Sequence, residues 1–379
     1  MKIEQQTWRE STGWQQESAL GQAQLLLVFG ATSAIADSTH LDPLRKLYPS
    51  AQIVGCSTAG EIAGTTVSDD SLVATAIEFE HTQVVSHAVE VKDATESFEA
   101  GRRLAKQFDA AGLAHLFVLS DGLKINGTDL VRGLTEALPA HVGVTGGLSG
   151  DGAQFAKTLV LLDRKAAANR IVGIGLYGDR IRIGYGSQGG WDTFGPDRIV
   201  SRSRGNVLYD LDGGSALELY KRYLGEHAKD LPASGLLFPL GIRANDSASQ
   251  VVRTILSVDE KEHSMTFAGD MPEGSIARLM RANLDRLIDG AAGAAKVSSQ
   301  GIGSSAPELA ILISCVGRKL VLRQRVEEEV ESVRDVLGSQ AVLSGFYSYG
   351  EISPFKPAAK CELHNQTMTI TTFSEKRAA

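Results

Sequence analysis

Cysteine is scarce in this chain: Cys56, Cys315 and Cys361 are the 3 among 379 residues. An odd number with no CxxC spacing excludes a disulfide framework and a zinc knuckle, and fits a reducing, cytoplasmic setting. Long apolar runs are also missing. Leu25-Leu26-Leu27-Val28-Phe29 falls far short of the ~20 residues of a membrane helix, and the opening Lys2, Glu4, Gln5 and Gln6 show no apolar core of a secretory signal. Positive charge is in deficit, with Lys+Arg 38 against Asp+Glu 45 and a net charge of -7. No basic stripe is available to neutralise phosphates, so neither nucleic acid nor an anionic membrane is expected as a partner. No HxH or HExxH spacing occurs among the 8 histidines, which argues against a zinc site.

What is abundant is glycine: 40 residues against 10 prolines. The glycines gather at 143–152, 184–190 and 213–214, the ends of strand-like runs. One octet recurs. Gly55-Cys56-Ser57-Thr58-Ala59-Gly60-Glu61-Ile62 follows an apolar run, and Gly345-Phe346-Tyr347-Ser348-Tyr349-Gly350-Glu351-Ile352 follows another. A degenerate third copy is Gly143 to Asp151. Such strands end in glycine turns where the backbone can take positive φ and approach a ligand closely.

Strands are predicted over Leu25–Phe29, Gln52–Gly55, Leu72–Phe79, His115–Leu119 and Val142–Thr145. A capping box at Asp93-Ala94-Thr95-Glu96 opens a helix that Gly112 stops. Thr158–Leu162, Ile171–Tyr177 and Arg180–Tyr185 read as consecutive antiparallel strands turned at Gly178-Asp179. A further strand is read at Arg198–Ser203, and Ser215 caps a helix that runs to Gly225. The order strand Leu309–Ser314, helix Arg323–Leu337, strand Ala341–Phe346 repeats that of His115–Leu119, Thr128–Leu138, Val142–Thr145. The expectation is an α/β (mixed α+β) fold of two pseudo-symmetric halves with mixed β-sheets flanked by helices. The boundary is placed at the densest glycine stretch, giving modules 24–190 and 191–373, with Gly184–Gly195 as the hinge and Trp191 inside it.

Four ordered segments carry a family resemblance: Val54 to Ile62, Gly146 to Asp151, Ser314-Cys315-Val316-Gly317-Arg318, and Gly345 to Ile352 leading to Cys361-Glu362-Leu363-His364-Asn365-Gln366-Thr367. Gly190-Trp191 and Asn206 to Gly213 add to it. The chain resembles the FIST sensory proteins, with an N-terminal and a C-terminal module. The resemblance implies a non-enzymatic, bacterial, ligand-sensing role in signal transduction. Without a kinase or cyclase region of its own, the chain is similar to free-standing haem proteins that sense nitric oxide and regulate a histidine kinase or a cyclic-di-GMP enzyme. Haem is therefore one expected ligand, and a small metabolite such as an amino acid is the alternative. A cysteine- or carboxylate-dependent hydrolase is the third reading.

Cys56, Ser57, Thr58, Glu61, Ser120, Asp121, Thr145, Arg318, Tyr347, Tyr349 and Glu351 are the expected pocket lining. Glu61 and Glu351 either face each other as an acid–base pair or each cap a glycine turn. Cys56 and Cys315 serve as nucleophiles only if a neighbouring charge makes a thiolate; otherwise they are small core residues. Arg318 suits a bidentate carboxylate or haem propionate, or a salt bridge to Glu351 or Asp151. Tyr347 and Tyr349 suit either core or pocket. His364 is the candidate axial ligand of a haem iron, with His87 and His115 next, or it is hydrogen-bonded to a neighbouring segment.

Overall fold

The computed structural model describes residues 1–14, 20–244, 250–355 and 359–375, and they form four β-sheets flanked by helices. The fold is the expected mixed α/β architecture, and the recurring octet explains its plan. Each copy ends the second of two parallel strands. Leu25–Gly30 pairs in parallel with Gln52–Ser57, Leu113–Ser120 with Gly143–Leu148, and Leu309–Cys315 with Val342–Ser348. In each case an antiparallel strand flanks the first member: Ser71–Glu78, Arg170–Tyr177 and Met368–Glu375 respectively. The repeat visible in both halves of the sequence is thus built three times, twice before residue 190 and once near the C-terminus.

Period-two alternation places these strands between two cores. Leu25, Leu27 and Phe29 point into a central core shared with Phe117, Leu119, Ile311, Ile313 and Phe346. The intervening Leu26 and Val28 face an outer cluster, as do Leu116, Val118, Ala310 and Leu312 on the other sheets. Burial on both faces is the reason these runs read as continuous apolar stretches. Helices Ser97–Ala105, Gly127–Ala137, Leu284–Gly301 and Val326–Leu337 are among those that cover the outside.

The units are tied by exchange. The hairpin that follows each second strand joins a different unit's sheet. Glu61–Ala63 pairs with Val342–Ser348, Val160–Leu162 with Gln52–Ser57, and Gly350–Pro354 with Gly143–Leu148. Where the strands end, three backbone bonds close a ring: Gly150 N donates to Ser57 O at 2.9 Å, Tyr349 N to Leu148 O at 3.2 Å, and Ala59 N to Tyr347 O at 2.8 Å. Gly55, Gly146 and Gly345 sit just before this ring. A Cβ there would lie 1.8, 1.9 and 1.9 Å from the carbonyls of Val28, Val118 and Leu312, so the paired strands close up only over glycine.

An eight-stranded sheet, opened by Trp191–Arg204, and helix Ala216–Leu224 share a separate core and sit between the second and third units in the chain. Two sequence expectations are corrected here. Val160–Leu162, Arg170–Tyr177 and Ile181–Gln188 form no meander; they belong to three different sheets, because each satisfies its edges in a different unit. The glycine-rich join is largely strand rather than loop. Ile181–Gln188 lies under helix Leu284–Gly301, and a Cβ on Gly184 would meet Ser298 O at 1.8 Å. Its glycines serve close packing, and Trp191 is buried with Nε1 donating to Gln366 O at 3.1 Å.

Candidate functional site

The two Gly-Glu turns carry the same bonding. Thr58 Oγ1 donates to Glu61 at 2.5 Å, and Ser71 supplies its N–H at 3.3 Å and its hydroxyl at 2.6 Å to the second oxygen. Ser348 Oγ donates to Glu351 at 2.7 Å, and Thr367 supplies N–H and hydroxyl at 3.2 and 2.9 Å. Each carboxyl therefore caps its own turn rather than pairing with the other. Burial raises both in spite of these donors, Glu61 to about 7 and Glu351 to about 8. In the third copy Asp151 accepts from the N–H groups of Phe155, Ala156 and Lys157 and from the Tyr349 hydroxyl.

Two adjoining clefts open beside the first turn. The smaller, about 420 Å³, is lined by Thr58, Glu61, Asp69, Asp151 and Lys157 among others. The larger, about 730 Å³, runs between Lys319, Arg323, His227, Asp230 and Ser234. Ala59, Asp69 and Gly152 belong to both walls. At this shared wall lies Lys319, whose ammonium donates to Ala59 O at 2.9 Å and to Asp69, and stands 5.6 Å from the Tyr347 ring centre. Gly60 makes room for it: a Cβ at that position would lie 2.4 Å from Lys319 Nζ.

Of the expected lining, Thr58 and Glu61 face the smaller cleft. Tyr347 underlies Lys319, while its hydroxyl donates to Glu329 at 2.7 Å. The Tyr349 hydroxyl donates to Asp151 and lies 3.1 Å from Gly152 O, and its ring stacks on Phe155 at 4.6 Å. Cys56 and Ser57 lie in the strand beneath; Ser57 Oγ donates to Gly150 O at 2.8 Å. Ser120, Asp121 and Thr145 are placed elsewhere. Ser120 O accepts from Ser149 and Asp121 caps a turn through Leu123, Lys124 and Asn169. Thr145 joins a core chain in which His115 Nε2 is 2.8 Å and Thr371 Oγ1 2.9 Å from its hydroxyl.

Arg318 does not reach either cleft. It is 0% exposed, forms an ion pair with Glu329 at 2.7 Å, and donates further to Gly189 O and Leu287 O. Its partner is thus Glu329, in the helix after it, rather than Glu351 or Asp151. The buried cysteines are held as thiols: burial raises Cys56 well above its ordinary value and Cys315 to about 12, with Glu61 and Glu351 adding to the effect. Neither has the positive field that a nucleophile requires.

His364 is 2% exposed and its Nε2 lies 2.8 Å from Ser353 O. Burial lowers its basicity to about 4, so the ring is neutral. It lines neither cleft, and a haem iron on Nε2 requires the Ser353 bond to open. Among the described residues no group of three or more His, Cys, Asp or Glu side chains could hold a metal ion, and no helix is long and apolar enough to cross a membrane.

Lys319, Asp69 and Gly60 were not singled out from the sequence. The usable signal was the neighbour of Arg318: successive residues of a helix are about 100° apart, so two adjacent cations cannot both share one buried direction.

No curated protein matches the chain in sequence. Among solved structures, the crystal structure of a cyanuric acid hydrolase from A. caulinodans aligns over 99% of both chains at 9% identity, with a TM-score of 0.39, too loose a superposition to bear on chemistry. The FIST N domain matches residues 24–214 and the FIST C domain residues 216–354. FIST domains act in general as small-molecule sensory modules in signal transduction. With these two models covering most of its length, the chain belongs to the FIST family.

Proposed function

We propose that this protein is a non-catalytic sensor of a small polar metabolite, bound in the paired clefts beside the Thr58–Glu61 turn. One observation carries the reading. The clefts of about 420 and 730 Å³ share the wall Ala59–Asp69–Gly152; the smaller is lined by the N-terminal FIST module, and the larger by residues of both modules. A ligand lodged there touches the N-terminal turn and the C-terminal Lys319 together, so its binding energy is available to shift their relative arrangement. It can do so only by the difference in its affinity for the two arrangements. An amino acid suits the lining, since carboxylates and a lysine ammonium stand in one cavity system.

The output passes to a separate signalling enzyme, a histidine kinase or a cyclic-di-GMP enzyme, in keeping with the signalling role of FIST domains. Partner affinity then responds to ligand, and ligand affinity to partner, by the same factor. Calorimetry with a panel of amino acids and related small metabolites tests the seat. Absorption spectra with added haem, before and after nitric oxide, test the haem alternative. Saturable binding of a panel member, lost when Thr58 and Glu61 are changed, is expected. No binding from the panel, together with a Soret band lost in His364→Ala, defeats the cleft reading.

A further inference from the structure

We propose that the Lys319 ammonium is the seat for a carboxylate of the sensed molecule, and that Asp69 is the built-in carboxylate which that ligand displaces. The proposal rests on the sensor reading of the clefts. Lys319 is only 15% exposed, and its stem lies across the Gly60 backbone, where only the missing Cβ leaves space. The ammonium is fixed from three sides by Ala59 O, the Tyr347 ring and Asp69. Two of these are held in place: the carbonyl of Ala59, whose own N–H closes the inter-unit ring, and a fully buried aromatic ring.

The third partner differs. Asp69 is 67% exposed and sits in the tight turn between strands Thr66–Ser68 and Ser71–Glu78. A solvated carboxylate on a mostly buried cation is exchangeable, because water takes up the displaced side chain at little cost. The position left is bordered by both clefts, so a ligand carboxylate has an approach and room for the rest of the molecule. The larger cleft also offers a spare group, since the buried Ser234 hydroxyl has no hydrogen-bond partner among the described residues. Displacement has a structural consequence. Asp69 directly follows the hairpin that the N-terminal module lends to the C-terminal sheet, and its ion pair with Lys319 is a tie between the two modules.

The test uses [1-13C]acetate as the smallest carboxylate and acetamide as its neutral isostere, titrated by NMR into the full chain. Acetate is expected to bind and acetamide not. Asp69→Asn removes the competitor and is expected to tighten acetate about 5–10-fold. Lys319→Met is expected to abolish binding; Lys319→Arg, which keeps the charge, controls for folding and retains it. Acetate bound equally by wild type and Lys319→Met, or not bound by the Asp69→Asn chain, overturns the proposal. A panel metabolite that binds Lys319→Met as well as wild type defeats this seat and leaves the sensor reading standing. Absence of any panel binding, together with a Soret band lost in His364→Ala, defeats the cleft reading on which this seat rests.

Discussion

Two turns of one design end in different surroundings. In both, a hydroxyl three residues back and the N–H and hydroxyl of one later residue, Ser71 or Thr367, hold a buried glutamate. The carbonyl two residues before that glutamate is covered in each by a neighbouring segment. Over Ala59 O the cover is the Lys319 ammonium at 2.9 Å; over Tyr349 O it is the neutral Asn365 amide at 3.2 Å. The first turn opens on the clefts, while the second is sealed beneath residues 364–367, all buried. Local motif therefore decides the fold of the turn, and the residue that the next segment lays over it decides whether the turn meets solvent.

The sealed side is backed by the Arg318–Glu329 pair, and breaking that pair gives the largest effect expected. Arg318→Met leaves Glu329 buried with its charge uncompensated, a loss of about 3–5 kcal/mol in unfolding free energy. Arg318→Met with Glu329→Leu should recover much of it, as no lone charge remains. Urea titration of the two variants decides. An Arg318→Met chain of near wild-type stability contradicts the assigned structural role.

The glutamates come next, and the sign follows from their raised values. Between pH 4.5 and about 7 for Glu61, or about 8 for Glu351, the folded chain keeps a proton that the unfolded chain has released. Their contribution is complete below about pH 4.5 and is lost as pH rises through 7 and 8. At ~1.4 kcal/mol per pH unit, these windows correspond to at most about 3 kcal/mol for Glu61 and about 5 kcal/mol for Glu351 lost by the alkaline end. Glutamine cannot ionise, so Glu61→Gln with Glu351→Gln should flatten the decline measured by urea unfolding at pH 5, 7 and 9. An unchanged slope in the double variant refutes the assignment. Singly, Glu61→Gln should alter affinity for a metabolite that binds in the clefts, and Glu351→Gln should leave it unchanged; equal effects erase the distinction between the turns.

Much of this plan was legible. Leu25 to Phe29, His115 to Leu119 and Leu309 to Ser314 show as strands because both faces are buried, and the octets mark where the glycine-dependent ring closes. The pairing was not legible. Glu61–Ala63 joins a strand almost three hundred residues away, and no periodicity records which distant edge a hairpin fills. The same blindness hid the site. Arg318 and Lys319 are adjacent cations in sequence, and only the packing of Glu329 against one and Asp69 against the other separates a structural ion pair from a group at the cleft.

That contrast yields the smallest expected effect and the most informative one. Asp69→Asn removes a carboxylate from a pair as close as Arg318–Glu329, yet Asp69 is 67% exposed, and exposed pairs contribute only about 0–1 kcal/mol. The Lys319 ammonium keeps Ala59 O and the Tyr347 ring after the change, so no charge is stranded without a partner. Unfolding free energy should then move by less than ~1 kcal/mol, against the several lost in Arg318→Met. Raising salt from 0.05 to 0.5 M should narrow even that difference, because solvent ions screen the exposed partner. A cost near that of Arg318→Met, insensitive to salt, means that Asp69 is fixed to Lys319 as firmly as Glu329 is to Arg318. The first turn would then be sealed like the second, and no ligand could take the place of Asp69.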